Sequence, residues 1–79
     1  MVMNQKRERR ELISVEQGGV THTGTLIISG TRKLTFSVEY RGHKSGDGRA
    51  WGTSAEELHN LRTMGRVHLL RIIGDLERQ

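Results

Sequence analysis

Residues 33–41 read KLTFSVEYR, and this stretch decides the fold class. Apolar and polar side chains alternate through it without exception, the apolar ones being Leu34, Phe36, Val38 and Tyr40. Because successive side chains of a strand point to opposite faces, the alternation predicts a β-strand with one buried face and one solvated face. Such half-buried strands are typical of antiparallel sheets.

Two further apolar runs precede this strand. Residues 12–15 and 20–28 are rich in β-branched side chains, and Gly18 and Gly19 lie between them. Two glycines at this spacing are typical of a two-residue hairpin, because the turns that match strand twist need positive φ angles. A second turn at residues 29–32 leads into the alternating strand, so the sequence predicts a three-stranded antiparallel meander.

A helix is predicted after Ser54. Ser54 and Glu57 have the spacing of a capping box, although Thr53 and Glu56 fit the same pattern. The chain contains no proline, so the helix is expected to run to Gln79, over about 25 residues or roughly 37 Å. Its apolar face is expected to cover the sheet and comprises Leu58, Leu61, Gly65, Leu69, Ile72, Ile73 and Leu76.

These elements predict one α+β domain, a three-stranded antiparallel β-meander packed against one long C-terminal α-helix. The domain is expected over residues 11–79, preceded by a basic, flexible N-terminal arm over residues 1–10. The polar, glycine-rich residues 42–52 are expected to form a loop, with at most a brief extended stretch near Ala50 and Trp51. A chain of 79 residues has room for only one core.

Composition narrows the setting in which the protein works. The chain contains no cysteine, which is typical of a reducing compartment. No apolar run approaches the roughly 20 residues that span a bilayer, and no apolar segment of the signal-peptide type follows the basic N-terminus. We therefore expect a cytoplasmic protein that makes no membrane contact.

Positive charge is concentrated in two segments. The formal net charge is +4, from 13 Lys and Arg against 9 Asp and Glu. Residues 1–10 hold four cations and one anion, residues 32–49 hold five cations and two anions, and the helix is balanced. These segments could bind an anionic partner, although charge of this size also serves solubility alone. The candidate nucleic-acid-binding residues are Lys6, Arg7, Arg9, Arg10, Lys33, Arg41, Lys44 and Arg49.

The leading hypothesis is a small non-enzymatic module that binds nucleic acid electrostatically through the arm and the third-strand region. The order of three strands and a helix resembles the plan of plant AP2-type and integrase amino-terminal DNA-binding domains, and this resemblance carries over no residue roles. The alternative is a protein-interaction module, such as a small inhibitor or adaptor encoded by a mobile element, that binds an acidic surface of a larger protein. With aromatic residues at only 4%, a base-stacking platform for single strands is not expected.

We expect no metal, no cofactor and no enzymatic activity. The four histidines have no cysteine partners, and no two of them stand three or four positions apart. His22 shares the parity of the core residues and is expected to be partly buried, whereas His59 and His68 are expected on the helix surface. An enzyme would require a pocket that contains two convergent polar groups.

A homodimer is predicted from the length of the helix. Strands of about eight residues span only about 26 Å, so the last two turns of the helix are expected to overhang the sheet. Apolar side chains there need another cover, and the predicted dimer interface comprises Val67, Leu70, Ile73 and Leu76. The alternative is a diagonal helix crossing that covers the whole apolar face.

Overall fold

The computed structural model describes residues 7–79. Four strands form one antiparallel sheet in the order β1-β2-β3-β4, and a helix follows them. The elements are β1 (Glu8–Gln17), β2 (Val20–Ser29), β3 (Leu34–Tyr40), β4 (His43–Trp51) and α1 (Ala55–Glu77). The predicted α+β class, antiparallel sheet and C-terminal helix packed on it are confirmed.

The prediction of three strands is wrong, because residues 42–52, expected to form a loop, contain β4. β4 pairs with β3 from Tyr40 opposite His43 onward. The sequence of β4 shows no alternation of apolar and polar residues, because Ser45 and Asp47, which stand opposite core residues of β3, are polar. Backbone pairing, rather than an apolar face, therefore holds β4 in the sheet. A plan of three strands and a helix, and the resemblance based on it, does not describe this fold.

Two-residue turns form the first and third hairpins. Gly18 and Gly19 have φ angles of 60° and 79°, as the sequence predicted for the first turn. Arg41 and Gly42 connect β3 to β4 with φ angles of 51° and 82°. Arginine rarely adopts positive φ, so this second pair gives a weak sequence signal for a hairpin.

β1 begins at Glu8, within the segment 1–10 that was expected to form an arm. Its pairing with β2 is extended by one further hydrogen bond, which the Gly30 amide donates to the Arg7 carbonyl over 2.9 Å. Residues 1–6 lie outside the described part of the chain. The basic residues Arg9 and Arg10 are thus held in a strand.

The hydrophobic core lies between the sheet and α1. α1 contacts all four strands, so the helix crosses the sheet diagonally. Ile72 and Ile73 are only 5% and 2% exposed, and the predicted overhang of these residues is wrong because the sheet covers them. The core comprises Ile13, Leu26, Ile28, Leu34, Phe36, Val38, Tyr40, Leu61, Leu69, Ile72 and Ile73.

α1 approaches the sheet closely at Gly65, which lies on the inner face as predicted. A Cβ atom at Gly65 would stand 3.0 Å from Leu26 Cδ1 and 3.6 Å from Ile13 Cδ1. On the sheet side, a Cβ atom at Gly24 would stand 2.9 Å from Leu69 Cδ1. The two glycines therefore allow a separation between helix and sheet that larger side chains would prevent.

The start of α1 has the predicted N-cap at Ser54, with one of the two hydrogen bonds of a capping box. The Glu57 amide donates to Ser54 Oγ over 3.2 Å, and the Ser54 hydroxyl donates to Glu57 Oε1 over 3.0 Å. Ser54 is therefore the N-cap, and the alternative with Thr53 and Glu56 is excluded. Among residues 7–79, no helix is both long and apolar enough to cross a membrane.

An ion pair fastens α1 to the edge strand β1. Arg62 donates from Nε to Glu11 Oε1 over 2.8 Å and from Nη2 to Glu11 Oε2 over 3.0 Å. These hydrogen bonds hold the pKa of Glu11 below its usual value, although partial burial opposes the shift. The bidentate geometry makes this pair stronger than an ordinary surface salt bridge.

A buried polar contact joins α1 to β4. His68 is only 5% exposed, and its Nδ1 lies 2.7 Å from Ser45 Oγ. The expectation that His68 lies on the helix surface is therefore wrong. Burial above all, and then the charge of Arg71, lowers the pKa of His68, while Asp47 opposes the shift. A neutral imidazole is thus favoured in the folded state.

Gly65→Ala and Gly74→Ala form a matched pair of substitutions in α1. A Cβ atom at Gly74 meets no atom within 4 Å, so Gly74→Ala should stabilise the fold by about 0.5–1 kcal/mol through helix propensity. At Gly65 the same gain is opposed by crowding against Leu26. We expect Gly65→Ala to be less stable than Gly74→Ala by about 1 kcal/mol or more in urea unfolding. Equal effects would contradict the close approach.

The lowered pKa of His68 predicts that the fold loses stability in acid. Unfolded His68 titrates near its usual 6.5, whereas the folded state takes up the proton only at lower pH. The stability linked to this group is therefore fully present above pH 6.5 and declines as the pH falls below it.

His68→Asn tests this assignment, because the amide can still hydrogen bond to Ser45 but does not titrate. The variant should show a smaller decrease of its urea midpoint between about pH 7 and about pH 5 than the parent chain shows. If both chains respond equally to pH, His68 is not the group responsible.

Candidate nucleic-acid interface

The fold gathers four basic residues at one end of the sheet. In an antiparallel meander, the start of β1 lies beside the end of β2 and the start of β3. Gly30 lies between the start of β1 and the start of β3. Its amide donates to the Arg7 carbonyl, and its Cα lies so close to the Lys33 carbonyl that a Cβ atom at Gly30 would overlap that oxygen. We call this group the basic end, and it consists of Arg7, Arg9, Arg32 and Lys33.

The positive charge of the basic end is weakly compensated. Within residues 7–79, Arg7, Arg32 and Lys33 take part in no ion pair. Arg9 Nη2 lies 3.8 Å from Glu11 Oε2. The same carboxylate binds Arg62 more closely, with Arg62 Nε 2.8 Å from Glu11 Oε1. All four cations of the basic end are exposed, so they can reach an anionic ligand without first breaking a buried contact.

A cleft of about 670 Å³ opens at the basic end. Arg7 and Arg9 line it together with the hydroxyl-bearing residues Thr31 and Thr53. Guanidinium groups and hydroxyls are the groups that bind phosphate oxygens and sugars in nucleic-acid complexes. The rest of the lining consists of the apolar residues Ile28, Leu34 and Leu58, of Gly30, and of one acid, Glu8, whose carboxylate pairs with Arg10.

Two further candidate residues, Arg10 and Lys44, lie on the face of the sheet opposite α1, which we call the open face. Glu39 stands between them: Arg10 Nη1 is 3.9 Å from Glu39 Oε1, and Lys44 is the pairing partner of Glu39. Arg10 also bonds Glu8, with Nη2 3.0 Å from Oε2. The charges on the open face are therefore nearly balanced.

The open face carries short hydroxyl side chains. Ser14 Oγ and Thr23 Oγ1 lie 3.2 Å apart across β1 and β2. The three aromatic residues of the chain lie elsewhere, since Phe36 and Tyr40 are buried in the core and Trp51 packs against it. The sheet therefore offers no aromatic surface on which bases could stack.

Arg41 stands apart from the basic end, whereas Arg49 lies on β4 at the same end of the sheet, because Trp51 pairs with Leu34. Arg41 occupies the turn at the other end of β3, roughly 23 Å away along seven residues of strand, with its guanidinium 5.1 Å from the Tyr40 ring centroid. On β4, the Arg49 amide donates to Asp47 Oδ1 over 3.1 Å and the guanidinium lies 5.4 Å from the Trp51 ring centroid. The hydrogen bond from the Arg49 amide is the main cause of the lowered pKa of Asp47.

The structure thus divides the eight predicted binding residues. It brings Arg7, Arg9 and Lys33 together, although the sequence placed them in two separate segments. Arg32 joins them and was absent from the predicted set, although its charge was counted in its segment. Lys6 lies outside the described residues. This proximity depends on topology and not on a local sequence pattern. The hairpin from β1 to β2 returns the chain to the N-terminal segment, so the turn between β2 and β3, which contains Arg32 and Lys33, lies beside Arg7.

The predicted dimer residues also differ in their surroundings. Val67 and Leu70 are 39% and 40% exposed, so a partner could cover them. Ile73 is 2% exposed and belongs to the core of its own chain, and Leu76 is partly buried against that core. The apolar surface that α1 presents to a second copy is therefore smaller than the sequence indicated.

Two of the four histidines, His22 and His68, contribute packing and hydrogen bonds. His22 is half-buried, as expected, and its Nδ1 lies 2.8 Å from the Tyr40 hydroxyl. His43 and His59 are exposed. Within residues 7–79, no three His, Cys, Asp or Glu side chains are grouped so that they could hold a metal ion.

Comparison with models of known families found no match, and comparisons with curated proteins and with solved structures found none either. The geometry and charge of this chain are therefore the basis on which we infer its function.

Proposed function

We propose that this chain is a small non-enzymatic module that binds double-stranded nucleic acid, acting as a homodimer in the cytoplasm. The observation that carries the proposal is the basic end, where Arg7, Arg9, Arg32 and Lys33 are exposed together. Clustered cations that neutralise phosphates supply most of the free energy of non-specific binding to nucleic acid.

A duplex fits this surface better than a single strand does. Single-strand binding proteins need aromatic side chains on which successive bases stack, and Phe36 and Tyr40 are buried here. Thr31 and Thr53 stand beside the arginines in the cleft and can donate hydrogen bonds to phosphate oxygens. Contact with the sugar-phosphate backbone requires neither stacking nor base-edge readout, so we expect weak sequence preference.

The salt dependence of binding tests the proposal. Replacing Arg32→Gln together with Lys33→Gln removes two exposed cations from a turn without removing an ion pair. Each lost phosphate contact should reduce the slope of log affinity against log salt by about 0.9. The double variant should therefore bind a short DNA duplex more weakly, with a slope smaller by about 2 in fluorescence anisotropy.

Arg66→Gln, compared with Arg32→Gln alone, provides the matched control, because Arg66 is exposed on α1 and does not line the cleft at the basic end. It makes the same change of charge and should leave the slope unaltered. Equal weakening by the two single variants would show that net charge matters and the basic end does not. Failure of the parent chain to bind duplex DNA even at low salt would contradict the proposal.

A second candidate is a protein-interaction module, an inhibitor or adaptor that binds an acidic protein surface. The observation that favours it is Leu12, which is 78% exposed on the edge strand β1. Edge strands can recruit an extended segment of a partner through backbone hydrogen bonds. A defined protein that co-purifies with the chain and stays bound after nuclease treatment would favour this function over nucleic-acid binding.

A further inference from the structure

β1 presents a regular row of backbone hydrogen-bonding groups at the edge of the sheet. Gln17 and Val20 flank a two-residue turn and so form a hydrogen-bonded pair, and at the other end the Arg7 carbonyl accepts from Gly30. Because such pairs alternate, the odd-numbered residues of β1 bond β2. The even-numbered residues direct their amides and carbonyls away from the sheet, and these are Glu8, Arg10, Leu12, Ser14 and Glu16.

The opposite edge of the sheet is built differently. The pairing of β4 with β3 shifts register between Leu34 and Phe36, and β4 contains Gly46 and Gly48. Irregularities of this kind protect an edge strand against pairing with another chain. β1 pairs with β2 over ten residues without a shift in register and contains neither proline nor glycine. Of the two edges, β1 is therefore the one suited to accept another strand.

The charges of β1 are ordered so that the strand complements itself. Arg10 lies near its start and Glu16 near its end, both on the open face. If two copies pair antiparallel about Ile13, Arg10 of each copy stands opposite Glu16 of the other. Opposite charges at directly paired positions stabilise a sheet, and like charges destabilise it.

The neighbouring registers lack this complementarity. Pairing about Leu12 sets Glu8 against Glu16, and pairing about Glu11 sets that residue against its own copy. In the register about Ile13, Leu12 pairs with Ser14 and lies diagonal to Leu12 of the second copy, within reach of a long side chain. Leu12 is 78% exposed in the single chain, and this contact covers it.

We infer that two copies of this chain associate through their β1 strands, antiparallel and centred on Ile13, so that their four-stranded sheets form one continuous sheet. Leu12 of each copy pairs with Ser14 of the other, and Arg10 of each copy pairs with Glu16 of the other. Counted over both copies, these pairs exchange about eight backbone hydrogen bonds. The interface is isologous and closes on itself, so it yields a dimer and not a fibre.

A charge-swap series in analytical ultracentrifugation of the full chain tests the inference. The parent chain should sediment at twice its 9.0 kDa mass. Arg10→Glu or Glu16→Arg alone sets like charges opposite each other twice, and each should weaken the dimer by about tenfold or more. The combination of both substitutions should restore the parent affinity to within about threefold. Local contacts of Arg10 with Glu8 and Glu39 stay lost in the combination, so altered monomer stability cannot produce the recovery.

Amide hydrogen exchange gives an independent readout. The amides of Leu12 and Ser14 point away from β2, so they should exchange slowly in the dimer and quickly in each single variant. Fast exchange of both amides in a parent dimer would overturn the inference. So would a monomeric parent chain, or a dimer that Val67→Glu with Leu70→Glu dissociates while the charge-swap variants leave it intact.

Discussion

The close packing of α1 on β1 and β2 at Gly65 is the constraint on which the rest of the structure depends. A short chain can build only a thin core, and here one helix must cover one face of four strands. The absence of a side chain at Gly65 brings the helix down onto Leu26 and Ile13. From that crossing point, the helix reaches β4 through His68 and Ser45 and is held to β1 through Arg62 and Glu11.

The placement of the helix determines which surfaces face solvent. Because α1 covers one face and crosses every strand, the apolar residues of its last turns are largely used within the chain. The surface that is left exposed is mainly polar and includes the open face, the edge of β1 and the basic end, although Leu12 on β1 is exposed as well. The basic end exists because the hairpin from β1 to β2 returns the chain to Arg7, which places the turn that contains Lys33 beside it. Binding to nucleic acid would use the basic end and association of two copies would use the edge of β1, and Arg9 belongs to both.

Local patterns in the sequence predicted the elements that depend on local physics. The alternation through β3, the glycine turn before β2 and the N-cap at Ser54 each follow from short-range geometry, and each is present. β4 could not be predicted in this way, because its position depends on backbone pairing with β3 and its inward side chains before Trp51, those of Ser45 and Asp47, are polar. The burial of His68 could not be predicted for the same reason. Its hydrogen-bonding partner, Ser45, lies on β4, which the sequence pattern does not reveal.

The candidate site shows the same limit. Charge counting found the two basic segments but could not show that Arg7 and Lys33 would meet at Gly30 while Arg41 would lie at the far end. That distinction depends on the order of strands, which no single segment encodes. The fourth strand also widened the sheet, which removed the overhang from which a helix-mediated dimer had been inferred.

A double-mutant cycle between Gly65 and Leu26 tests the central constraint most directly. Leu26→Val removes the Cδ methyl groups that a Cβ atom at Gly65 would crowd. The account predicts that Gly65→Ala costs less stability in the Leu26→Val background than in the parent chain, with a coupling free energy of about 0.5 kcal/mol or more in urea unfolding. Strictly additive effects would show that the helix does not rest on Leu26 at this position, and the packing described for the whole chain would be contradicted.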